Sequence, residues 1–101
     1  MISREQFYKR LNNLPAVIPS KTGKASYSEF RVINSTLHFK RNETGEYWDL
    51  DIDVLYSVYL RNDFINTTVV KEITGGRVNS PSVAILMAIG CLEQDGKRIT
   101  N

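Results

Sequence analysis

The side chains with the strongest chemical character fall in two adjacent blocks of opposite charge. Residues 21–41 carry Lys21, Lys24, Arg31, Lys40 and Arg41 against Glu29 alone, a net +4. Residues 42–53 carry Glu43, Glu46, Asp49, Asp51 and Asp53 and no base, a net −5. The basic block mixes its cations with Tyr27, Phe30 and Phe39, and loop lysines suit contacts to phosphate. Lys71 and Arg77, beside Gly75-Gly76, extend the same candidate nucleic-acid patch. Against this stands a simpler role, in which the cations sit on a solvated surface and pair with the acidic block across strands.

The acidic block offers its own chemistry. On a strand, Asp49, Asp51 and Asp53 would share a face at about 7 Å spacing and could hold a hard cation. The spacing is not that of an EF-hand loop, because Val54 stands where glycine is required and Leu60 where glutamate is required. Helix capping explains Asp51 and Asp53 more simply, since carboxylates favour a helix N-terminus. His38 is the only histidine, and a hairpin register sets it across from Asp49, with no nucleophile implied nearby. Cys91, the only cysteine, lies in an apolar run and reads as a small buried hydrophobe. No P-loop, dinucleotide fingerprint, zinc-protease or nucleophile-elbow motif occurs, so no catalytic residue, cofactor or metal site is expected.

The elements that must position these groups follow from periodicity. Ser3 and Gln6 form a capping box, Ile2 and Phe7 a hydrophobic staple, and Phe7, Leu11 and Leu14 one helical stripe ending near Asn12-Asn13 and Pro15. Residues 15–28, with Pro15, Pro19, Ser20 and Gly23, read as a long loop. Phe30 to Ile33 suits a short strand. Leu37 and Phe39 alternate with polar residues, 42–45 is a turn, and Trp48 and Leu50 alternate again. Pairing Arg41 with Glu46 places Phe39 opposite Trp48 and Leu37 opposite Leu50, which puts the apolar residues of a 35–51 hairpin on one face.

Asp51 then caps a second helix that ends at Arg61-Asn62-Asp63. Asn66 caps a short helix to residue 74, although its β-branched content would also suit a strand. After Gly75-Gly76, Ser80-Pro81 opens a third long helix, with Ser80 as cap and Gly96 as its close. From Pro81 to Leu92 that helix offers only Ser82 as a polar side chain, which argues against groove reading by a helix-turn-helix. A helix apolar on all sides belongs in a core or at an interface.

The expected fold is therefore α+β: three or four helices on one face of a small antiparallel sheet, in a single domain over residues 1–101. Trp48, Leu50, Leu37 and Phe39 are expected to face Val83, Leu86, Met87 and Leu55. With 101 residues, 42% apolar and a net charge of +2, the chain is an ordinary globular domain able to form a core without disulfides. Its first residues lack the apolar stretch of a signal peptide, and no run approaches the 20 or so residues of a membrane span. A cytoplasmic protein without membrane contact is expected, and the N-x-S/T triplets at Asn34, Asn42 and Asn66 read as turn chemistry. Three functions remain open: a non-catalytic interaction module that self-associates through the apolar helix, a nucleic-acid-binding domain using residues 21–41, and a small ligand-binding protein or enzyme.

Overall fold

The computed structural model describes residues 1–76 and 78–100. Ser3 acts as the first N-cap, its hydroxyl accepting from the Gln6 N–H at 3.2 Å. Helix α1, Arg4–Leu11, buries Phe7 and Leu11, the stripe that its spacing predicts. Four strands follow: β1 Val17–Pro19, β2 Ser26–Ile33, β3 Thr36–Arg41 and β4 Tyr47–Asp51. They form an antiparallel sheet in the order β1-β2-β3-β4. Three helices complete the α+β architecture: α2 Ile52–Arg61, α3 Thr67–Thr74 and α4 Asn79–Ala88.

Strand alternation gives the sheet one covered and one open face. Ile18, Tyr27, Leu37, Phe39 and Leu50 are buried. Register places Ser28, Arg31, His38, Lys40, Tyr47 and Asp49 on the opposite face. The β3–β4 register is the expected one, with Phe39 opposite Trp48, Leu37 opposite Leu50 and His38 opposite Asp49. Phe39 also meets Tyr27 edge-on at 5.7 Å, so the covered face packs aromatic on aromatic. Two expected caps hold as well: Asp51 accepts from Val54 N–H and Asn66 from Val69 N–H. The 66–74 segment is thus helical; its Asn cap and the one apolar stripe outweigh β-branched content.

Two expectations are corrected. Residues 15–28 are not one loop, because β1 and the start of β2 pair there, Ile18 with Tyr27 and Pro19 with Ser26. Pro19 reads as a breaker, yet β1 is an edge strand, where a missing N–H is tolerated. A strand with one inward residue, Ile18, carries too little alternation to be seen. The last helix also differs at both ends. It starts at Asn79 with no side-chain cap, so Ser80 lies inside it, and it stops at Ala88. Gly90, at φ 77°, turns the chain, and Cys91 N–H bonds back to Leu86 C=O. Gly96 belongs to a later turn, which pairs Phe64 with Lys97 and Leu92 with Arg98.

That C-terminal segment seals the domain. Arg98 donates to the carbonyls of Tyr59 and Leu60 at the end of α2 and pairs with Asp63 at 3.0 Å. The Tyr59 hydroxyl accepts from Ile2 N–H and donates to Ile99 C=O. Pro81 to Leu86 of α4 are all buried. The apolar helix therefore packs in the chain's own core through its Pro81 to Leu86 run. Among the described residues, no helix is long and apolar enough to cross a membrane.

Candidate nucleic-acid interface

The α3–α4 connection, the β1–β2 turn and the end of β3 surround a cavity of about 400 Å³. The β1–β2 turn is built by Ser20. Its N–H donates to Ala25 C=O, its hydroxyl accepts from Ala25 N–H, and its carbonyl accepts from Gly23 N–H. This clasp projects Thr22 and Lys24 at the cavity. Arg41 reaches it from β3 because residue 41 lies on the same face as Leu37 and Phe39. The other side is the start of α4, with Asn79, Ser80 and Pro81.

The electrostatics of this cavity favour an anion. Lys24 and Arg41 line it, and among the described residues no carboxylate does. Hydroxyls of Ser20, Thr22, Tyr27, Thr67 and Ser80 add neutral donors. No side chain among the described residues caps α4, so the positive end of a ten-residue helix meets the cavity with the N–H groups of Asn79 and Ser80, Pro81 having none. Burial pushes the Tyr27 phenol above its usual range, with a hydrogen bond to Ser80 and the charge of Arg41 opposing the rise. Tyr27 therefore stays neutral at physiological pH. Arg41 Nε is shut off from solvent with no hydrogen-bond acceptor among the described residues, and Glu43 Oε1 lies 4.0 Å away. Glu43 is turned instead toward Ser26, whose N–H and hydroxyl it accepts at 2.9 and 3.0 Å. Those bonds hold the Glu43 carboxyl below its usual range. Asn79 Oδ1, on the opposite wall, is likewise buried without a donor among the described residues, while its amide nitrogen is committed to Gly76 C=O.

Of the seven cations singled out in the sequence, the cavity gathers Lys24 and Arg41. The Lys71 chain runs beside Gly76, where a Cβ would lie 3.6 Å from Lys71 Cγ. Lys21 borders a different hollow with Ala84 and Met87. Arg31 lies across from His38 on the open face of the sheet. Lys40, also on that face, pairs with Glu29 at 3.3 Å. Lys40 and Arg41 are thus neighbours in sequence and on opposite faces in space. Arg77 lies outside the described residues.

The remaining chemical candidates resolve into local partnerships. Asp51 caps α2. Asp53 accepts from Arg4 Nε at 2.9 Å and from the Tyr8 hydroxyl, and the Arg4 bond leads in holding its carboxyl below the usual range. Asp49 pairs with His38 at 2.6 Å on the open face. Cys91 is buried, and desolvation pushes its thiol up to about 11, far from the range of a nucleophile at neutral pH. Among the described residues no group of three His, Cys, Asp or Glu is placed to hold a metal ion.

Sequence reasoning misses Trp48, Asn79 and Thr67 as cavity residues. The alternation around Trp48 points to the core, and the side chain is half-buried with one side on the cavity. Asn79 escapes notice because Ser80-Pro81 looks like the helix start. Comparison with protein-family models, with curated proteins and with solved structures gives no match to this chain.

Proposed function

We propose that this protein is a non-catalytic, cytoplasmic binding module for nucleic acid, which seats a backbone phosphate in the cavity at the start of α4. The observation that carries the reading is the convergence of Lys24 and Arg41 on an uncapped helix N-terminus, in a cavity with no carboxylate among its described lining residues. Such an end binds phosphate through its N–H groups and its dipole. The Arg41 side chain, partly exposed on the cavity wall, supplies a charged donor for a phosphate oxygen. Trp48, half-buried on the wall, offers aromatic surface to a base, which suits a single strand with unpaired bases. His38, the only histidine, is on the other face of the sheet, so no imidazole base stands beside the cavity's hydroxyls.

The test is fluorescence anisotropy of labelled single- and double-stranded oligonucleotides at about 50 and 200 mM salt. Single strands are expected to bind more tightly than duplexes. Lys24→Gln and Arg41→Gln together should weaken binding by about 100-fold and lower the salt slope by about one per cation. Lys21→Gln with Arg31→Gln, outside the cavity, is the matched control. An absence of binding at low salt, or equal losses in both double variants, would overturn the assignment.

A further inference from the structure

We propose that the outer edge of β4 docks an extended basic peptide, which joins the sheet as a fifth strand. The argument is independent of the phosphate cavity. β4 ends the sheet, and no strand pairs with its other side among the described residues. Arg41 N–H bonds to Glu46 C=O and Ile52 N–H to Ser35 C=O, which fixes the direction of the main-chain groups between them. Residues 46, 48, 50 and 52 turn theirs toward β3, and Tyr47 and Asp49 turn theirs outward, while the carbonyl of Asp51, the N-cap of α2, serves the first turn of that helix. An extended chain alongside finds a ladder of donors and acceptors already spaced for it.

Two properties of the edge select the occupant. Beneath it runs a groove of about 510 Å³ whose apolar walls include Leu50, Val54, Ile73 and Val78. Ile73 is 47% exposed, unusual for isoleucine, and Tyr47 at the start of the edge is 68% exposed. The groove's charges are Asp49 and Asp51, with no cation among the described residues of its lining. Helix ends of both signs meet there, the close of α3 at Gly75 and the starts of α2 at Asp51 and of α4 at Val78, so the preference for a cation rests on the two carboxylates. Side chains directly opposite each other in a sheet share a face. Peptide residues opposite Asp49 and Asp51 therefore rise beside carboxylates, and the alternate residues descend into the groove. The complementary sequence alternates Lys or Arg with Val, Ile or Leu.

The probe is a capped Lys-Val-Lys-Val-Lys-Val peptide, titrated into the labelled full chain and followed by amide chemical shifts. Shifts are expected to gather at residues 47–51, Val54, Ile73 and Val78. A Glu-Val peptide of equal length should bind at least about tenfold more weakly, given like charges. Asp49→Asn with Asp51→Asn should weaken the Lys-Val peptide about fivefold, and an asparagine at the second position keeps the side-chain oxygen that caps α2. Tyr47→Pro, which removes an outward N–H, should lower binding further. If that variant does not fold, a Lys-Val peptide N-methylated at alternate residues tests the same bond on the native protein, and it should not bind. The proposal is overturned by shifts that collect elsewhere, by no shift up to millimolar peptide, or by equal binding of the Glu-Val or N-methylated peptide. A dimer by sedimentation that is built on this edge would assign it to a second copy and also overturn the peptide.

Discussion

On one side of the connection between α3 and α4, Gly76, Asn79 and Ser80 share a cavity with Lys24 and Arg41; on the other, Gly75 and Val78 share a groove with Asp49 and Asp51. The first side lies at the start of α4, and the second where α3 ends and α2 begins. Side-chain charge therefore differs in sign between the two sides, and at the groove Asp51 stands at a helix start, where a negative charge is favoured. The two regions also share β4: Trp48 lines the basic cavity and Leu50 the acidic groove, two residues or about 7 Å apart. A net charge of +2 averages over this division and hides it. The comparison shows that local polarity here comes from which charged side chains the turns and strand ends bring together.

Beyond the two binding tests, the strongest break in this arrangement should come from the shared strand. Trp48→Ala removes the partner of Phe39 and one wall of the cavity. Urea unfolding should show a loss of about 2 kcal/mol, below the usual range for a fully buried Trp because this one is half-exposed. Oligonucleotide binding should then fall more than peptide binding. A smaller effect is expected at the connection itself. Gly75 caps α3 at φ 84°, and an added methyl group there would stand in open space, so Gly75→Ala meets backbone strain and no clash. The cost should be about 1 kcal/mol in the same experiment. Both ligands should weaken together; a change in only one would show that the two regions do not share this turn in function.

The smallest expected effect is an acid-pH dependence. Glu43, held by Ser26, and Asp53, held by Arg4, are both more acidic when folded than when unfolded. Their contribution is complete above the ordinary carboxylate range and is lost as pH falls through the lowered folded values. Melting temperature should drop on acidification below that range, and Glu43→Gln should flatten part of the drop. Both groups are solvent-facing, so the change should be modest.

Much of the fold is legible in the sequence because several signals coincide in short windows. Ser3, Asp51 and Asn66 are caps followed by apolar stripes, and the hairpin register follows from a single turn length. The sheet's first strand is not legible, since Val17-Ile18-Pro19 has one inward side chain and a residue that usually breaks strands. The candidate site is half legible. Charge counting finds Lys24 and Arg41, and it groups with them Arg31 and Lys40, which strand alternation and Glu29 take to the open face. The cavity itself depends on Lys24, Arg41 and Asn79, which come from three elements distant in sequence, and no local pattern encodes that meeting.

The Tyr59 hydroxyl has a consequence for how the molecule comes apart. It holds Ile2 by one hydrogen bond and Ile99 by another, so the first and last segments depend on the same oxygen. Release of either leaves the hydroxyl half-satisfied and exposes the side chain on which the other rests. Ile2 and Ile99 are thus coupled through one oxygen, while Tyr56 and Cys91 hold each of them by a bond of its own.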